Sequence, residues 1–119
     1  MRPLAVERSS ADGSELLVVA GEIDVATSAG LIGALNGAVT DAVYPLVVDL
    51  SAVDFMDSTG LALLLGAYKR LQRRGRGFAV VCPGGPLKRI FEVTDLVDLL
   101  KVSPSRESAL RAAAAAQVV

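Results

Sequence analysis

Two short runs built almost wholly of apolar residues, Tyr44-Pro-Leu-Val-Val-Asp-Leu50 and Gly77-Phe-Ala-Val-Val-Cys82, restrict the fold of this chain more than any other feature. Each is short and nearly unbroken, the pattern of a strand covered on both faces rather than one with a wet side. The segments around them have helical periodicity. Leu31, Leu35, Ala38, Val39 and Ala42 fall on one helical face. A second helix from about Ser58 to Arg74 offers Leu61, Leu64, Leu65, Tyr68 and Leu71 as a core stripe and is stopped by Gly75. Pro86 suits the first turn of a third, with Leu87, Ile90 and Phe91 at i, i+3 and i+4. Buried strands alternating with helices require crossover connections, hence a largely parallel sheet.

The ends of the chain complete the pattern. Leu4–Arg8 and Glu15–Ala20 read as strands of a hairpin, with Ala11-Asp12-Gly13-Ser14 as its turn. Leu99–Val102 reads as a short last strand. Ser105, or Ser103, caps a final helix in which Glu107 and Arg111 are i,i+4 partners. The run Ala112–Ala116 is most simply a fraying helical end. Gly30, Gly33 and Gly37 each weaken the first helix by about 0.8–1 kcal/mol relative to alanine if interior, so packing must hold it, and they can let it lie close on a sheet. The expectation is an α/β fold: a mixed sheet of about four to five strands with about four helices and an N-terminal β-hairpin, one domain over residues 1–119.

Composition removes several classes of function. There is no histidine, which excludes Ser-His and Cys-His triads and His-ligated zinc. The one cysteine, Cys82, excludes an internal disulfide and reads as a buried thiol at a strand end. Neither a Gly-x-x-x-x-Gly-Lys loop nor a Gly-x-Gly-x-x-Gly turn is present. Pro83-Gly-Gly-Pro86 reads as a turn, and Asp49, Asp54 and Asp57 give only weak support for a magnesium site, so no metal or cofactor is expected. No run reaches the roughly 18 apolar residues of a membrane span. The N-terminus lacks the order of a signal peptide, so the expected location is the cytoplasm.

Charge is uneven along the chain. Residues 1–57 carry a balance of −7 and residues 58–119 one of +6. Both halves share one domain, so mutual neutralisation is the expected consequence. The basic run Lys69, Arg70, Arg73, Arg74 and Arg76 has no interleaved aromatic residues for base stacking and reads as a solvated helix end, not a nucleic-acid surface.

The stretch Asp49-Leu-Ser-Ala-Val-Asp-Phe-Met-Asp-Ser58-Thr-Gly-Leu61 runs from a strand into the second helix. A serine at such a junction meets helical N–H groups that lack intrahelical partners. Ser58 is therefore either a plain N-cap or a place where a phosphate can be held. As a hydrolase nucleophile it would need a lysine or carboxylate base, and Asp-Ser-Thr-Gly is unlike the Gly-x-Ser-x-Gly elbow. At about 100° per residue, Leu63 falls roughly 140° from the centre of the expected core stripe, beside Ala62 and Gly66. An exposed leucine among small residues next to that serine suggests a docking patch.

Over these same residues, the chain closely resembles the bacterial anti-sigma factor antagonists, stand-alone members of the STAS family (sulfate transporter and anti-sigma factor antagonist). The resemblance runs from Gly21-Glu-Ile-Asp24 through Phe55-Met-Asp-Ser-Thr-Gly60 and Val80-Val-Cys82 to Leu87-Lys-Arg-Ile-Phe91. It implies the mixed-sheet STAS fold. It also implies phosphorylation of Ser58 by an anti-sigma factor that is a serine kinase, and reversal by a metal-dependent phosphatase. The unphosphorylated form would bind that kinase and free a sigma factor, with no catalysis of its own. Asp24 corresponds to the family's acidic residue near the serine, and Thr59 stands where many members have a second serine. Asp24, Asp57, Thr59, Ala62 and Leu63 are the expected partner surface. Alternatives are a STAS scaffold subunit of a stress-signalling or lipid-transport complex and, in another class, a small serine-dependent hydrolase.

Overall fold

The computed structural model describes residues 3–41 and 43–118. The order of elements is β1 Ala5–Ala11, β2 Ser14–Ile23, α1 Ser28–Asp41, β3 Leu46–Met56, α2 Ser58–Arg73, β4 Phe78–Val81, α3 Pro86–Val93, β5 Val102–Ser103 and α4 Arg106–Ala116. They form one sheet in the order β1-β2-β3-β4-β5, with β1 antiparallel to β2 and the remaining pairs parallel. The hairpin turns on Asp12 and Gly13, both at positive φ (51° and 78°), as a two-residue turn matched to strand twist requires.

The sheet steps one strand at a time in one direction. Crossovers of constant hand then place α1, α2 and α3 on the same face. Side chains at alternate strand positions follow that division. Leu17, Val19, Val48, Leu50, Val80 and Cys82 belong to the larger core with the buried faces of α1–α3. Their neighbours Leu16, Val47, Ala79 and Val81 face α4 through Ala109 and Ala113. Along their apolar runs β3 and β4 are thus covered on both sides, as the unbroken pattern indicates.

Several expectations shift in detail. β3 continues to Met56, well past Leu50, and the last strand is Val102–Ser103 rather than Leu99–Val102. The alanine run is no frayed end: Ala113 is fully buried, because only a small side chain lets α4 lie this close to the sheet. A methyl added at Gly77 would come within 1.8 Å of the Ala113 carbonyl oxygen. In α1, Leu31, Leu35, Ala38 and Val39 are buried as their spacing implies, while Ala42 lies outside the described residues. The glycines of α1 do not bring it onto the sheet, since Gly33 has open space beside it and the nearest atoms to Gly30 and Gly37 are ends of side chains.

α2 ends in a Schellman motif. Gly75, at φ 69°, donates to the Gln72 carbonyl and Arg76 to that of Leu71. The basic run at this end of α2 is only partly a solvated face. Arg74 donates to the Val39 carbonyl at 2.6 Å, and Arg76 to those of Tyr44, Ala38 and Val39 at 2.8–3.1 Å. Arg76 is buried beneath the C-terminal end of α1, where cations complement the helix dipole. Cys82 is buried too, and burial pushes its thiol pKa up.

Among the described residues, one ion pair joins the acidic and basic halves. Asp49, on the α4 face of β3, is buried and accepts from Ser51 and from Arg106 through Nε and Nη2 at 3.0 and 2.8 Å. Burial pushes the Asp49 pKa up, but the Ser51 hydrogen bonds and the Arg106 guanidinium outweigh it and hold the carboxyl below its ordinary value. The folded state thus binds protons less readily than the unfolded chain. The stabilisation is complete above about pH 5 and lost as acidity passes the folded pKa. Arg106→Ala, which removes two charge-assisted bonds from a buried carboxylate, is expected to lower stability by about 1.5–3 kcal/mol. In urea titrations between pH 3 and 7 the deficit should shrink toward the acid end; a pH-independent deficit would contradict this assignment.

Candidate functional site

The site lies at the carboxyl ends of β2 and β3, the usual binding edge of a parallel sheet. Glu22 stands opposite Phe55 and Ile23 opposite Met56, and the Asp57 N–H donates to the Ile23 carbonyl at 3.1 Å. The chain leaving β2 at Asp24 and the first turn of α2 at Ser58 therefore share one end of the sheet. Gly60 holds them close: a Cβ there would sit 2.5 Å from Met56 Cγ and 2.7 Å from Ile23 Cγ2. Any larger residue would have to displace the Met56 and Ile23 side chains beneath it.

Ser58 is not the cap of α2. Asp57 is, with its Oδ1 accepting from the Thr59 N–H at 2.9 Å. Ser58 is the first helical residue, exposed, and among the described residues nothing hydrogen-bonds to its hydroxyl. The motif assigns cap and free hydroxyl to successive residues, and Asp is among the preferred N-caps. Asp24 is similarly fixed. Its Oδ1 accepts from the Thr27 N–H at 3.0 Å, while Thr27 Oγ1 accepts from the Asp24 N–H at 3.0 Å and donates to the Glu22 carbonyl at 2.8 Å. This reciprocal turn presents the half-buried carboxylate beside the start of α1.

The remaining candidates divide. Thr59 is half-buried and Ala62 exposed. Leu63 is not freely exposed: it is half-buried and packs against the larger core. The buried face of α2 is centred elsewhere on the helix than the stripe of large apolar residues. Gly60, Leu64, Ala67 and Leu71 are the buried residues of α2, and the small Gly60 and Ala67 rotate the inward face toward Leu63 by roughly 60–70° at 100° per residue. What sequence reasoning missed is Phe55, half exposed, and Val25, 74% exposed. Gly21 pairs with Val53 and Glu22 with Phe55, so Asp54 is an extra residue on β3. This β-bulge breaks the alternation and turns Phe55 outward.

Among the described residues, no group of three or more His, Cys, Asp or Glu is placed to hold a metal ion. A cavity of about 510 Å³, bordered by Tyr68, Gln72, Phe78 and Asp98 among others, contains none of these candidate residues. Nor is any described helix long and apolar enough to cross a membrane.

Fold and site together define a small α/β module that offers an exposed, helix-initial serine on an acidic sheet edge. Residues 6–109 match the STAS domain family, and the chain belongs to it. A 33% identity over 104 residues, 87% of this chain and 96% of the relative, links it to the anti-sigma-B factor antagonist of Staphylococcus aureus. The crystal structure of an anti-sigma factor antagonist from Mycobacterium paratuberculosis is similar at a TM-score of 0.84 and 34% identity, covering 92% of this chain and 93% of that one. The unphosphorylated form of the anti-sigma factor antagonist SpoIIAA, at TM-score 0.71, 20% identity and coverage of 89% and 93%, shares the fold. Its family is thus that of the anti-sigma factor antagonists, with five strands in a mixed sheet and four helices.

Proposed function

We propose that this chain is a phosphorylation-switched anti-sigma factor antagonist without catalytic activity. Unmodified, it binds an anti-sigma factor that is also a serine kinase and so frees a sigma factor in the cytoplasm. The kinase transfers phosphate from ATP to Ser58 and ends the complex, and a metal-dependent phosphatase restores it. The observation that carries this reading is the Ser58 hydroxyl, exposed and without a partner at the first position of a helix that its neighbour Asp57 already caps. Nothing needs to unfold for a kinase to reach it. Asp24, Asp57, Thr59, Ala62 and the outer edge of Leu63 form the surface around it, on which the partner rests.

A displacement assay tests the reading. A preformed complex of the cognate anti-sigma factor with its sigma factor is titrated with this protein. Unmodified protein and Ser58→Ala should both release the sigma factor, the latter irreversibly in the presence of ATP. Retention of the complex at saturating unmodified protein would refute the antagonist role.

A further inference from the structure

We infer that Phe55 and Val25 are the apolar anchors of this docking edge, and that they take a partner surface apolar at its centre and cationic at its rim. This rests on the function proposed above and adds residues to it. Both side chains are large and exposed, at 50% and 74%, and both sit at the carboxyl end of the β2–β3 pair that carries Ser58. Phe55 faces solvent because of the bulge at Asp54, and bulges beside functional sites commonly re-aim a side chain in this way. Exposed aromatic residues that become buried on association supply much of an interface's affinity.

The surroundings select the occupant. Asp24 and Asp57 flank the two anchors in the chain, at the same carboxyl end of β2 and β3. In a two-fold pairing through this edge, acids would face acids, a like-charge arrangement that opposes association. A second copy is therefore disfavoured, and a different protein with basic residues around an apolar centre fits.

The test uses the full chain and an anti-sigma factor kinase of the same organism that phosphorylates it on Ser58. Affinity for that kinase is measured by calorimetric titration for the unmodified protein, Phe55→Ser, Val25→Ser and, as a control, Val43→Ser. Val43 is equally exposed, at 73%, but precedes β3 at the other end of the sheet. The expected result is binding at least tenfold weaker for Phe55→Ser and at least threefold weaker for Val25→Ser, which lies in a loop and leaves the sheet intact. Val43→Ser should stay within twofold, and unmodified binding should weaken as salt is added. Affinities within twofold for both anchor variants would overturn the assignment and leave the Ser58 switch standing. Failure of every anti-sigma factor kinase of that organism to bind or phosphorylate the unmodified chain would end both. Self-association in sedimentation that Phe55→Ser abolishes would also overturn it, by giving the edge to a second copy.

Discussion

Phosphate on Ser58 is expected to weaken binding to the anti-sigma factor at least a hundredfold while leaving the fold unchanged. The modification adds about −1.5 to −2 charges at pH 7. Locally two effects oppose each other. The N-terminus of α2 favours an anion through its free N–H groups and dipole, and the Asp57 cap beside it repels one. Each is worth about 1 kcal/mol or less at an exposed helix end, so neither rearranges a sheet buried on both faces. At an interface the balance differs. A dianion confined among apolar side chains loses its hydration, and a buried charge without a partner costs about 2–5 kcal/mol. A hundredfold loss corresponds to about 2.7 kcal/mol, at the low end of that range. Ser58→Asp carries one charge and less bulk, so it should show part of the loss. Calorimetric titration with matched circular dichroism spectra checks both halves of the expectation; equal affinity for modified and unmodified protein would contradict it.

The largest effect on stability is expected at Gly77. It lies just before β4, its N–H donating to Gln117 Oε1 at 2.6 Å and its carbonyl accepting from Leu46. A methyl there would meet backbone, 1.8 Å from the Ala113 carbonyl oxygen, so no rotamer change can relieve it. α4 would have to lift, separating Ala109 and Ala113 from Val47, Ala79 and Val81. Gly77→Ala is expected to cost about 3 kcal/mol, the upper part of the range for overpacking, and to lower Tm by roughly 10 °C. Gly33→Ala is the control of opposite sign. Gly33 is exposed within α1 with open space at its Cβ position, so alanine should add about 0.5–1 kcal/mol. Thermal melts of the two variants decide the matter. A Gly77→Ala protein that melts with the unmodified chain would show that α4 does not sit so close.

The layered architecture was legible because it rests on periodicity. Tyr44–Leu50 and Gly77–Cys82 could be read as strands covered on both sides, and Asp12-Gly13 as a turn, without knowledge of their neighbours. Ser58 could be placed at a strand-to-helix junction for the same reason. What the pattern hid depends on pairing across the sheet. The bulge at Asp54 arises only where β3 meets β2, and alternation alone puts Phe55 on the same face as the buried Val53. Leu63 lies nearer the core than its spacing implies, because large apolar residues alone do not mark the inward face of α2. Gly60 and Ala67 belong to that face together with Leu64 and Leu71, and at Gly60 the strand ends come too close for a side chain. Small residues at a close contact resemble small residues on a surface until the contact is known. The same ambiguity made the packed alanines of α4 look like a loose end.

The switch at Ser58 is tested most directly by locating the phosphate. The protein is incubated with ATP and the anti-sigma factor kinases of its own organism, digested and mapped by mass spectrometry. One phosphate on Ser58 is expected with the cognate kinase, and none on the Ser58→Ala variant under the same conditions. A kinase that binds the chain tightly yet leaves Ser58 unmodified, or places its phosphate on Thr59 instead, would contradict the assignment.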